Sequence, residues 1–118
     1  MTSRIEALSI DATDPKALAD FWCRVLGWEV AEDVEGGVGI APPGETESRI
    51  AIFPPAGTKT QKNRLHLDLR ADGVSAEVEL ARLLDLGARR VDVGQGPDVT
   101  WTVLADPEGN EFCLLGTG

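Results

Sequence analysis

The chain has 118 residues, 42% of them hydrophobic, and a net charge of −9 from 20 acidic and 11 basic side chains. That length leaves room for one domain, 1–118, and the composition is that of a globular chain rather than a disordered one. The acidic balance argues against nucleic acid, which is held by neutralising phosphates, and no apolar run reaches the length of a membrane span.

Residues 4–12 alternate, with Glu6, Leu8 and Ile10 on one face of a strand and Ala7, Ser9 and Asp11 on the other. Thr13-Asp14-Pro15 then reads as a helix start: either of the first two can cap, and proline suits the first turn. Leu18, Phe21, Trp22, Val25 and Leu26 recur at helical spacing, and Gly27 ends the run. Strands are expected at Trp28 to Ala31, Val38 to Ala41 and Arg49 to Phe53, with an acidic turn over Asp33 to Gly37. In the last of these strands Ile50 and Ile52 share one face, and Arg49, Ala51 and Phe53 the other.

Pro54 to Lys62 is polar, proline-bearing and aperiodic, and reads as a linker. The order of elements then repeats. Arg64 to Arg70 alternates, with Leu65, Leu67 and Leu69 against His66, Asp68 and Arg70. A helix is predicted from about Val74 to Leu86, with Val74, Val78, Ala81 and Leu84 as its apolar stripe and Gly87 as its stop. A strand over Ala88 to Val93 and a loop over Gly94 to Asp98 follow. Gly94-Gln95-Gly96-Pro97 has no helix after it and is no phosphate cradle. The chain closes with a hairpin, Thr100 to Leu115, turning at Asp106-Pro107-Glu108-Gly109-Asn110. Its second strand sets Glu111, Cys113 and Leu115 on one face and Phe112 and Leu114 on the other.

Each half is thus strand, helix and three strands. The fold expected is α+β: two βαβββ modules, about 4–53 and 64–116 with a linker at 54–63, forming a shared concave cleft. The helices would cover one side of the sheets. Within that cleft His66 is a candidate base or hydrogen-bonding group, with a cavity-wall histidine bonded to Asp68 or Glu111 as the plainer reading. Arg49, Asp68 and Arg70 are candidates to orient polar ligand groups; the plainer reading is that Asp68 pairs with an arginine across adjacent strands, and for Arg70, near a strand end, pairing is the better reading. Trp22 belongs to the core. Trp101 is equally a core or a rim residue, and with Phe53 it would make an apolar wall for a planar or cationic ligand. Cys23 and Cys113 read as two free thiols, and no CxxC zinc motif is present. Met1 to Glu6 lack the apolar core of a signal peptide, so a cytoplasmic setting is expected.

The segment TDPKALADFWCRVLGWEV resembles the first helix of the vicinal oxygen chelate superfamily, which groups glyoxalase I, bleomycin-resistance proteins and extradiol dioxygenases. RLHLDL is similar to the strand opening its second module, and ADPEGNEFCLL to its closing hairpin. The resemblance covers nearly the whole chain and is closest to the glyoxalase-like branch. It implies a divalent metal between the modules, held by His or Gln and Glu from the first and last strands of each. Carried over, those positions are Ala7, Ala51, His66 and Cys113, with Glu111 two residues before the last as a partial substitute. Two alanines supply no donor atom, so no metal and no cofactor are expected. Recruiting Glu111, Asp68, Ser9 or Asp11 would demand a rearranged site.

The function expected is therefore metal-free binding of a small molecule, as in sequestration of a drug or metabolite, by His66, Asp68, Arg49, Phe53, Trp101, Glu111, Cys113, Ser9 and Asp11. The alternative is a metal-dependent lyase, isomerase or dioxygenase centred on His66; a third is a module acting through a partner. The resemblance also implies a homodimer.

Overall fold

The computed structural model describes residues 1–34, 36–92 and 100–116. The chain divides into two compact units, Met1–Thr58 and Lys59–Gly118. The predicted loop Gly94 to Asp98 lies outside the described residues.

The first unit runs β1 (Leu8–Asp11), α1 (Pro15–Leu26), β2 (Glu29–Val34), β3 (Gly37–Ala41) and β4 (Ile50–Phe53). Helix α1 starts and stops where its local chemistry dictates. The Asp14 carboxylate accepts from the Ala17 N–H at 3.2 Å, one of the donors a helix start leaves unpaired. Gly27 takes a left-handed φ of 69° and donates its N–H to the Cys23 carbonyl. The sheet order is β1-β4-β3-β2, with β1 parallel to β4 and the other pairs antiparallel. Val38, Ile40, Ile50 and Ile52 are buried, as are Leu18, Phe21, Trp22 and Val25 of the helix that packs against β3 and β4. The opposite face carries the row Ser9, Ala51, Gly39. Its glycines are steric requirements: a Cβ on Gly37 would sit 2.3 Å from the Phe53 ring, and one on Gly39 would sit 1.8 Å from Ser48 Oγ. Strand β2 runs three residues beyond the predicted end at Ala31, through a bulge between Val30 and Glu32.

The second unit repeats the plan with β5 (Asp68–Arg70), α2 (Ala76–Leu86), β6 (Arg89–Arg90), β7 (Trp101–Ala105) and β8 (Glu111–Leu115). Its sheet order is β5-β8-β7-β6, and β5 is again parallel to the strand beside it. The architecture is α+β, with βαβββ in each unit. The β7–β8 turn is fastened by a buried Asp106. One carboxylate oxygen accepts from the N–H of Glu108 and of Asn110, both at 2.9 Å, and the other from Asn110 Nδ2 at 3.0 Å. Gly109 completes the turn at φ 89°.

Two expectations need correction. Strand β5 is three residues long, not seven, and His66 stands before it. Its ladder to β8 ends where the Cys113 N–H donates to the Leu67 carbonyl at 2.9 Å; upstream, the Asn63 N–H turns to the Glu111 side chain. The stripe of α2 is also rotated from the predicted one. Val74 and Val78 are about half exposed and Leu84 is exposed, while Leu83 is fully buried. The helix presses Ala76, Glu79, Leu80, Leu83 and Leu86 inward. Its sequence offers two apolar stripes, and periodicity alone does not rank them.

Leu83→Ala should therefore lower unfolding free energy by about 2–4 kcal/mol. Val78→Ala should cost no more than about 0.5 kcal/mol, as for an ordinary surface substitution. Urea unfolding of the two variants checks the assignment, and the reverse ranking would restore the sequence-based stripe.

Candidate functional site

Register decides which side chains meet on the open face of the second sheet. Asp68 lies beside Cys113, and Cys113 beside Val103; one row on, Arg70 lies beside Leu115, and Leu115 beside Trp101. Side chains two apart along a strand share a face, so both rows point the same way. Phe112, Leu114 and Leu104 are buried on the other face. Over the open face lies a hollow of about 370 Å³. Its apolar wall is Trp101, Val103 and Leu115, and its polar side is formed around His66, Asp68 and Cys113. Trp101 is a rim residue, 40% exposed.

The polar side is a connected cluster. His66 Nε2 stands 3.2 Å from Asp68 Oδ1. Asp68 also accepts a hydrogen bond from the buried Cys113 thiol. One nitrogen, one oxygen and one sulfur from these residues lie within 4.8 Å of one another. Burial pushes the Cys113 thiol above its ordinary range, the Asp68 charge and hydrogen bond push the same way, and the Lys62 ammonium opposes them only in part. The sulfur is thus held as a protonated thiol at neutral pH, not as a ready nucleophile. Asp68 pairs with His66 rather than with an arginine: Arg70 Nη1 donates to the Gly116 carbonyl at 2.8 Å.

Glu111 also lines the hollow, but its carboxylate is engaged elsewhere. Oε1 accepts from Lys59 Nζ at 3.0 Å and from the Asn63 N–H at 3.1 Å. Oε2 lies 2.9 Å from the same ammonium without hydrogen-bond geometry, and is sealed from solvent. Lys59 Nζ donates to the Gln61 carbonyl as well, and Asn63 Nδ2 donates to Asn110 Oδ1 at 3.3 Å. Desolvation alone would raise the Glu111 pKa; the Lys59 hydrogen bond, the backbone N–H donors and the Lys59 charge outweigh it and hold the carboxyl below its ordinary value. Glu111 is therefore held to the Lys59 ammonium, and its one oxygen without a hydrogen bond, Oε2, is closed off beside that cation. With Ala7 and Ala51 donorless, the four-position ligand set implied by the resemblance does not fit this chain.

Five of the nine predicted residues, His66, Asp68, Trp101, Glu111 and Cys113, meet at this hollow. The other four belong to the first unit. Ser9 and Asp11 are exposed on β1, Phe53 covers Gly37, and exposed Arg49 is bound to Glu45 at 2.7 Å. Sequence reading missed Lys59, Lys62 and Asn63, which sit in or beside the stretch read as linker. The one available signal was that a carboxylate on an inward face needs a cation.

A family model described as a glyoxalase-like domain matches residues 7–115. No curated protein matches the sequence. Among solved structures, a glyoxalase/bleomycin resistance protein/dioxygenase family enzyme from Burkholderia phytofirmans superposes with a TM-score of 0.68 at 18% identity, covering 98% of this chain and 100% of the other. A variant of the fosfomycin resistance protein FosX from Listeria monocytogenes, complexed with Mn(II) and a dihydroxypropylphosphonic acid, gives 0.71 at 16% identity, covering 99% and 93%. TnmS3, an antibiotic binding protein from a Streptomyces species, gives 0.60 at 21% identity, covering 99% and 98%. At these identities the likeness is one of fold.

Two outcomes test the Glu111 anchor. Lys59→Met should cost about 2 kcal/mol, between the values for exposed and buried pairs, because it strands a carboxylate with little access to water. A carboxyl held low when folded stabilises fully above its unfolded pKa, and that contribution is lost as pH falls through the lower folded value. Denaturation midpoints taken from about pH 7 to about pH 3 should therefore fall less steeply for Glu111→Gln than for the wild type, and identical profiles would refute the assignment.

Proposed function

Because the chain belongs to the glyoxalase-like domain family and carries a part-apolar, part-polar hollow on the open face of its second sheet, we propose that it binds and sequesters a small organic molecule without a catalytic metal. The observation that carries this reading is the make-up of that hollow: an indole, a valine and a leucine facing a polar cluster whose hydrogen bonds a ligand can share. A planar ligand gains by lying on Trp101 and by removing its exposed surface from water. A donor or cationic group on that ligand meets Asp68, whose side chain is 52% exposed and so reachable. An antibiotic binding protein among the fold relatives supports the same reading. The proposal includes a cytoplasmic homodimer, checked by sedimentation of the purified chain.

The second reading, a metal-dependent lyase, isomerase or dioxygenase, keeps one observation in its favour: His66 stands at a family ligand position with two other donors beside it. Thermal-shift screening against cationic aromatic antibiotics, catechols and dicarbonyls separates the two. The binding reading expects an aromatic ligand to stabilise chelator-treated protein, and Trp101→Ala to weaken that ligand about tenfold. Stabilisation or turnover that appears only after a divalent ion is restored would transfer the case to the enzyme.

A further inference from the structure

A second hollow of about 380 Å³ lies within the second unit, and we infer that it is a binding site for a tetrahedral oxyanion of the phosphate type, whether the free ion or the phosphate end of a metabolite. It is bordered by Lys59, Thr60 and Lys62 from the segment before β5, by Arg89 of β6, and by the carboxylates of Asp92 and Glu111. Three cations thus meet two carboxylates, in a chain whose net charge is −9. The general field of such a chain repels anions, so an anion is held only where cations are concentrated. The groups on which the organic-ligand reading rests, Trp101, Val103, Leu115 and Asp68, do not border this hollow, nor do His66 and Cys113.

The charges are not all spent on one another. Lys59 is bound to Glu111, which neutralises that pair. Arg4, Arg24, Arg49 and Arg82 each hold a carboxylate, but among the described residues Lys62 and Arg89 stand within ion-pair distance of no acid. Asp92 offsets one of these two charges and leaves the hollow net positive. Register aims Arg89 at it. Arg89 lies beside Ala105, and Ala105 beside Glu111, so all three share the open face, while Arg90 points to the other. Gly109 keeps the turn low beneath the cations. A Cβ there would stand 3.2 Å from Lys59 Cγ and 3.9 Å from Arg89 Nη2. A guanidinium fork, an ammonium and the Thr60 hydroxyl therefore reach the hollow from separate segments. A phosphate has oxygens to meet all three, whereas a carboxylate has two in one plane.

The test titrates the full chain, free of organic ligand, with sodium phosphate at neutral pH and follows the heat. Ionic strength is held constant with chloride, so that general screening does not register as binding. Phosphate should saturate at one equivalent with a Kd at or below about 1 mM. Acetate should bind at least about tenfold more weakly. Arg89 and Lys62 are exposed, so their replacement spares the fold. Arg89→Gln should weaken phosphate at least about tenfold, the loss expected for a charge-assisted hydrogen bond, and Lys62→Gln should weaken it severalfold. Arg90→Gln, on the opposite face, should leave it unchanged. Glycerol phosphate separates the sources: affinity equal to that of the free ion or above it assigns the site to phosphorylated metabolites, and markedly lower affinity assigns it to the free ion. No saturation beyond chloride, equal affinity for acetate, unchanged affinity in both Arg89→Gln and Lys62→Gln, or an equal loss in Arg90→Gln would overturn the site.

Discussion

The second unit depends on one constraint, the satisfaction of the Glu111 carboxylate. Glu111 opens β8, on the face that holds the hollow, and its side chain is only 10% exposed. A carboxylate with so little water demands a cation and hydrogen-bond donors. Lys59 and Asn63 supply them, which brings the chain before β5 across the end of β8. That crossing is also why the β5 ladder stops at Leu67. His66 is thereby released from sheet pairing and placed where its imidazole meets Asp68. An electrostatic requirement at one strand end thus sets the position of the most chemically versatile side chain in the unit.

How much of this is legible in the sequence follows from how local each cause is. Asp14, Pro15 and Gly27 delimit α1 through contacts with their own neighbours, so reading them in order suffices. The same is true of the Asp106–Asn110 turn, where the fastening bonds span at most four residues. Alternation likewise sorts Glu111, Cys113 and Leu115 from Phe112 and Leu114. What fails is whatever depends on a distant partner. Leu83 and Val78 are equally apolar, and only packing against the sheet separates them. The length of β5 is set by Glu111, more than forty residues away by sequence separation. The Lys59 bond, across 52 positions, had no local trace in a polar stretch that reads as a linker.

The two units can be compared row by row, each within its own sheet. In the first, the strands β1, β4 and β3 set Ser9, Ala51 and Gly39 side by side. In the second, β5, β8 and β7 set Asp68, Cys113 and Val103 in the matching places. The backbone plan is shared, yet the chemistry is not. The first row offers a single hydroxyl and two residues chosen for smallness; Gly39 has no room for a Cβ at all, since Ser48 occupies that space. The second offers a carboxylate and a thiol, with the imidazole close by.

That asymmetry bears on what a shared fold implies. A βαβββ plan guarantees ladder positions that face the same way, and nothing about the atoms placed there. Where both copies carry donors, an ion can be divided between them. In this chain the matching row of the first copy offers only the Ser9 hydroxyl, because the side chains of alanine and glycine have no lone pairs. Polar contacts on these matching rows must then draw mainly on the second copy. The His66–Asp68–Cys113 cluster meets that demand: its members bond to one another in place of a partner, and the apolar wall of Trp101, Val103 and Leu115 supplies the shape against which a ligand is held.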